Sequence, residues 1–168
     1  MPEPDDRRPE APRSLTPHDV RVQSEFARQA ESFAASKTLG SGELTTAITG
    51  SLGEAARGRI LDLAAGPGLM ASALAGTARE VVAIDLTAET LVVARTRLGA
   101  DGHRNVRLVR GNGLVLPFGE SCFDAAVIRL ALHHLQQPQH ALREAHRTLC
   151  AGGVIAVLDL VAPEGAAD

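Results

Sequence analysis

Arg59-Ile60-Leu61-Asp62-Leu63-Ala64-Ala65-Gly66-Pro67-Gly68-Leu69-Met70 decides the fold. A run of buried-strand character (Ile60 to Ala65) carries a single acid, Asp62, and breaks at Gly66 and Gly68. A stretch rich in Ala and Leu follows, with the composition of a helix. Strand, glycine turn and helix in succession bring backbone close to a ligand's polar groups. Seventeen residues after Gly68, a second apolar run, Val81-Val82-Ala83-Ile84, ends in Asp85. An acid at the tip of a second parallel strand is placed to hold a ribose diol, so the pair points to a nucleoside-type cofactor.

Working outward, apolar runs alternate with helical periodicity. Strands are expected at 59–65, 80–86, 106–111, 123–130 and 153–160, and helices at 68–77, 88–98 and 137–149. Thr87 is expected to start the second of these helices, with Gly99 and Gly152 as stops. The strands are continuously apolar, which predicts a parallel sheet covered on both faces, an α/β doubly wound fold of Rossmann-like type. Before the first strand, helices are expected over His18–Ser36, with Val22, Phe26, Ala30 and Phe33 near one face, and over Gly42–Ala56, capped by Ser41. Residues 1–18, with five prolines, read as a disordered tail. The organisation is thus a tail over 1–18, a helical cap over 19–57 and a core over 58–168.

Composition narrows the partners. The chain of 168 residues is one domain's worth, and 45% hydrophobic residues suffice for a core. A net charge of −3 gives no electrostatic case for nucleic acid or an anionic membrane. Four phenylalanines and no Trp or Tyr leave no platform for stacking single-stranded bases. Cys122 and Cys150 lack the spacing of a zinc site or a disulfide framework, so no metal is expected. No leader or bilayer-length apolar run stands out, and a cytoplasmic setting is the expectation.

The cofactor itself can be argued from the turn. Gly66-x-Gly68-x-x-Ala71 also fits a loose dinucleotide fingerprint. Against NAD, Asp62 lies four residues before Gly66, where its carboxylate would repel a pyrophosphate, and Pro67 removes an N–H donor. A sulfonium and an ammonium suit such a site better. Downstream come Gly111-Asn112-Gly113, then Leu116-Pro117-Phe118, Phe123-Asp124, Leu132-His133-His134-Leu135 and Leu142-Arg143-Glu144 through Gly152-Gly153. In this order and spacing, from about Val22 to Glu164, the chain resembles the class I S-adenosylmethionine-dependent methyltransferases. It looks closest to the branch of ubiquinone/menaquinone-biosynthesis C-methyltransferases and many small-molecule methyltransferases.

The resemblance implies S-adenosyl-L-methionine as cofactor and a small-molecule acceptor for O- or C-methylation. Asp62, with Ala64, Gly66 and Gly68 around it, would hold the methionyl end; the lesser alternative for Asp62 is to cap a turn or bind neighbouring backbone N–H groups. Asp85 would hold the ribose rather than serve only as a helix cap. Leu86 and Leu114 would sandwich the adenine, or be ordinary core. Asn112 stands where the family usually has an acid facing the adenine amino group, and Gly113 offers the adjacent N–H. Arg129 would line the methionyl end or pair with an acid, and Asp124 would bind loop backbone.

His133 and His134, at the carboxyl end of the fourth strand, are candidate bases for a hydroxyl acceptor, with Asp159 orienting one of them. The alternative is a helix start whose histidines bind backbone. Phe26 and Phe33 would close a lid over the cofactor, or simply dock their helix.

Relatives in the family usually continue past the fifth strand with a helix and an antiparallel strand pair, absent here. Strand five is therefore expected to present an apolar edge, completed in a homo-oligomer or by a complementing chain. The alternative functions are a non-catalytic cofactor-binding or partner subunit, a truncated inactive protein, or one using the cofactor for another reaction. Labelled S-adenosylmethionine with phenols, quinone precursors and sugars separates them: turnover favours the enzyme, binding alone the rest.

Overall fold

The computed structural model describes residues 15–35 and 42–160, the backbone alone for 31–35. Residues 1–14 of the tail expected over 1–18, the Ser41 cap and the Phe33 side chain lie outside the described residues. Five strands form one sheet: β1 (Arg59–Leu63), β2 (Glu80–Asp85), β3 (Val106–Arg110), β4 (Phe123–Arg129) and β5 (Leu149–Leu158). Their order is β3-β2-β1-β4-β5 and every pairing is parallel. All strand carboxyl ends therefore emerge on one side, and the order reverses beside β1, where open α/β sheets take ligands.

Helices α1 (Pro17–Ala35), α2 (Gly42–Gly50), α3 (Leu69–Ala75), α4 (Ala88–Ala100) and α5 (Pro138–Thr148) surround the sheet. Alternate strand residues serve opposite faces. Ile60, Val81, Ala83, Ala125 and Val127 pack with Ile48, Leu52, Met70, Leu74 and Leu98 of the α2–α4 side. Leu61, Leu63, Val82, Ile84, Ala126 and Ile128 pack with Ala145 of α5 and with Leu116 and Phe123. Ile60, Leu61, Leu63 and Ile84 have no exposed surface; each such side chain stabilises the fold by about 1.5–3 kcal/mol relative to exposure. No helix among the described residues is long and apolar enough to cross a membrane.

Several boundaries differ from expectation, each for a local reason. The helix expected over Gly42–Ala56 stops at Gly50, and a 3-10 turn, Gly53–Arg57, opens with Gly53 at φ +54°. Gly99 lies within α4; the left-handed residue after it is Gly102, at φ +73°. Gly152 does not terminate α5, because β5 begins at Leu149; it sits at φ +80° in the register shift between Phe123↔Leu149 and Ala125↔Val154. Helix α1 starts at Pro17, inside the expected tail. Thr16 precedes it as a cap: its N–H and hydroxyl donate to Asp19 Oδ2, both at 2.8 Å, and Asp19 N–H donates to Thr16 Oγ1 at 3.1 Å.

Candidate functional site

Two adjoining cavities open at the strand carboxyl ends and share Phe26, Ala64 and Leu130. The first, about 600 Å³, is lined by Asp62, Ala65, Pro67, Met70, Thr90 and Arg129 among others. The second, about 720 Å³, is lined by Asp19, Gln23, Asp85, Leu86, Asn112 and His134 among others. Ala64 (φ +58°) and Leu130 (φ +51°) are both left-handed non-glycine residues at this junction. Such strained backbone concentrates at ligand sites.

The first cavity holds Asp62, 1% exposed, whose Oδ2 has no hydrogen-bond partner among the described residues. Burial, then the neighbouring Asp85 charge, pushes its pKa up to about 7 against the Ala71 amide and Arg129. The Nε and Nη2 of Arg129 are likewise buried without partners. Burial lowers the Arg129 pKa while Asp62 opposes the shift. Unsatisfied buried charge is costly, so an acid and a base left open in one cavity mark a place for a ligand carrying both signs.

The glycine turn is shaped for close approach without lining either cavity. Gly66 is at φ +53° and Gly68 at φ +77°, and a Cβ on Gly68 would lie 3.0 Å from Ala94 Cβ of α4. Any side chain at 68 would therefore be strained and would push α3 from α4.

In the second cavity the half-buried Asp85 is already engaged. Its Oδ2 accepts from Gly66 N–H at 2.8 Å; its Oδ1 accepts from Thr87 N–H at 2.8 Å and Thr90 Oγ1 at 3.1 Å. Burial raises the Asp85 pKa, and these donors oppose the shift. Each carboxylate oxygen can accept two bonds, and among the described residues Oδ2 is hydrogen-bonded by Gly66 N–H alone, which leaves it one acceptor site. Thr87 does precede α4 as expected, but its side chain makes no cap; Asp85 satisfies its N–H instead.

Leu86, Asn112 and Gly113 line this cavity, whereas Leu114 is buried, 3% exposed, outside both linings. Asn112 Oδ1 accepts from Leu114 N–H at 2.9 Å, closing a local turn. Helix α1 roofs the cavity through Asp19, Val22, Gln23 and Phe26. Gln23 Nε2 donates to Leu86 O at 3.2 Å, and His18 Nε2 pairs with His134 O at 2.8 Å.

The two histidines part company. His134 lines the second cavity, with its ring edge-on to Phe26 at 4.8 Å between centroids. Burial, then His133, lowers its pKa. His133 lines neither cavity; its Nδ1 lies 2.5 Å from Asp159 Oδ1. Asp159 Oδ2 also accepts from Leu132 N–H at 2.7 Å, pinning the 3-10 turn Leu132–His134 to the end of β5.

Several resemblance motifs prove to be latches. Asp124 Oδ2 accepts from Arg59 N–H at 2.6 Å, and a Cβ on Gly58 would overlap that carboxylate. Glu144 Oε2 accepts from Leu116 N–H at 3.0 Å, and Arg147 Nη1 donates to Phe118 O at 2.9 Å. Asp19, Gln23 and this Glu144–Arg147 pair went unassigned in the sequence. The Thr16-x-x-Asp19 capping spacing with Pro17 between was the signal for the first of them.

Residues 61–157 match the family model for a methyltransferase domain. The chain is 32% identical over 139 residues to the uncharacterized methyltransferase YcgJ of Bacillus subtilis, covering 83% of this chain and 55% of that protein. The YcgJ crystal structure superposes with a TM-score of 0.68, covering 72% of this chain and 52% of that one. A demethylmenaquinone methyltransferase of Clavibacter sepedonicus is 38% identical over 117 residues, 70% of this chain and 47% of its own length. The structure of a DhpI–SAH complex, 26% identical, gives a TM-score of 0.68 over 83% of this chain and 68% of that one. The chain thus spans about half the length of the curated relatives it matches. It belongs to the class I S-adenosylmethionine-dependent methyltransferases, and demethylmenaquinone and ubiquinone/menaquinone C-methyltransferases are among the proteins it is similar to.

Proposed function

We propose that the protein transfers a methyl group from S-adenosylmethionine to a small molecule, at oxygen or carbon, and that 58–168 form the cofactor-binding core under a helical cap over 19–57. The observation that carries this is the first cavity, where Asp62 Oδ2 and the Nε and Nη2 of Arg129 are buried without partners among the described residues, beside the turn at Ala64. A methionyl group has an ammonium for the acid and a carboxylate for the guanidinium. In the adjoining cavity, the open acceptor site on Asp85 suits a ribose hydroxyl, and Leu86, Asn112 and Gly113 form the purine end.

When bound, the cofactor supplies an activated sulfonium methyl. The chain's own part is alignment and dryness. Phe26, Ala64 and Leu130, where the cavities meet, exclude water from the acceptor's approach. His134, held neutral by its surroundings, takes the proton from a hydroxyl acceptor. His133 with Asp159 is the second candidate base or a support for the turn that carries His134.

Further parts of this reading are cytoplasmic action and an association along β5, with a second copy or a complementing chain. The latter is supported by an outer edge of β5 that is unpaired among the described residues. The reading is tested by calorimetry with S-adenosylhomocysteine and NAD, then by labelled methyl transfer to phenols, quinone precursors and sugars. Binding of the first but not the second ligand, with turnover of an acceptor, is expected. Binding of NAD, or of neither, overturns it.

A further inference from the structure

Asp19 has a feature its capping role does not explain. The residue is 8% exposed and lines the second cavity, yet only its Oδ2 is used, by Thr16 N–H and Oγ1. Its Oδ1 accepts no hydrogen bond among the described residues and is not sealed from solvent, since the buried unpartnered atoms do not include it. On a residue that lines the cavity, a carboxylate oxygen without a donor is an acceptor open to a ligand bound there. On the far side, Asn112 has neutral chemistry and an Oδ1 already engaged by Leu114 N–H at 2.9 Å.

We propose that Asp19 is a specificity-determining residue that accepts a hydrogen bond from the exocyclic amine of the cofactor's purine. This rests on the reading of the two cavities given above. Asp19 lines the cavity of Asp85, Leu86 and Gly111–Gly113 and does not line that of Asp62 and Arg129, so it faces the nucleoside end. Asp19 is not among Phe26, Ala64 and Leu130, the residues shared where the cavities join and where the methyl group would be presented. Of the donors at the nucleoside end, the ribose hydroxyls go to Asp85, and the purine offers its exocyclic amine. Roof and floor then divide the labour: Asn112 and Gly113 shape the purine slot from β3, and α1 brings the charge.

The test compares S-adenosylhomocysteine with S-inosylhomocysteine, in which a carbonyl replaces that amine, by calorimetry on the full chain. Wild type should prefer the adenosyl compound by about 10–100-fold, the worth of a hydrogen bond to a charged acceptor. In Asp19→Asn the amide oxygen keeps the Thr16 bonds and the NH₂ faces the cavity, matching a carbonyl and opposing an amine. The preference should fall at least fivefold or invert. A smaller change overturns the proposal. Thr16→Val weakens the cap but leaves Oδ1, so its preference should stay within fivefold of wild type; a collapse there also overturns the proposal, because the effect would be structural. A ratio of two affinities within one variant is insensitive to partial unfolding. Failure of wild type to bind either compound would instead overturn the underlying cofactor reading.

Discussion

Asp85 Oδ2, at the tip of β2, accepts the N–H of Gly66 at 2.8 Å, tying the turn after β1 to the neighbouring strand. The acid expected to hold a ribose therefore also holds the backbone that shapes the adjoining cavity. A glycine at φ +53° donating to a half-buried carboxylate leaves the turn with little freedom before any ligand arrives.

Asp85→Ala should accordingly act twice. S-adenosylhomocysteine binding should weaken by roughly 1.5–3 kcal/mol, because hydrogen bonds to a charged acceptor are lost. The melting temperature should also drop, since the N–H groups of Gly66 and Thr87 lose their acceptor. Calorimetry and a thermal melt read the two effects separately. Unchanged affinity would remove the ribose assignment.

Asp62 predicts a pH dependence with a definite sign. Its pKa rises from 3.8 in the open chain to about 7 in the fold, with burial first among the causes. Between those values the folded protein holds a proton that the unfolded chain has released. Stability therefore falls as pH rises from about 4 to 7, and below 4 this contribution is flat. Asp62→Asn should flatten the profile and be the more stable form above pH 7. A methionyl ammonium favours the ionised carboxylate, so binding in wild type should release a proton and weaken below pH 7. Calorimetry in two buffers of different ionisation enthalpy measures that proton. No release at pH 6 would mean that Asp62 does not face the ammonium.

What was legible follows from range. Continuous apolar strands announced a sheet buried on both faces, and the spacing from Asp62 to Gly66, Gly68 and Asp85 marked the ligand end, because those signals are local. The Glu144–Arg147 latch on Leu116 and Phe118 was not legible, since it joins residues 28 or more apart through hydrogen bonds that leave no periodicity. Nor was the difference between adjacent histidines. Leu132–His134 is a 3-10 turn, in which each residue rotates by about 120°, so neighbours face different ways. An expectation of an ordinary helix start could not tell which ring meets the cavity.

For a hydroxyl acceptor, His134→Ala should lower turnover by about 10²-fold or more, with cofactor affinity little changed. The His134 pKa lies below the ordinary 6.5, chiefly through burial, so the acidic limb of kcat/KM should also lie below that value. His133→Ala leaves the cavity lining intact and should have the smaller effect. Asp159→Asn, which disturbs the turn itself, should raise KM as well as lower kcat. Equal losses in both histidine variants would mean that the pair acts as a unit; full activity in both would leave alignment as the sole device.

Strand β5 lies at the end of the sheet order, and Val157 on it is 44% exposed. Its backbone donors and acceptors on the outer side are unpaired among the described residues. Over Val154–Leu158 no charge or proline guards that edge. Such an edge recruits another strand. The 168-residue chain in isolation should therefore run as a dimer or larger species in light scattering at tens of micromolar. Val157→Lys places a charge beside the edge and should shift the population toward monomer without altering S-adenosylhomocysteine affinity, because no residue of β5 lines either cavity. A monomeric wild type with a cooperative melt would show that the edge is covered within the chain, and the association along β5 would fall.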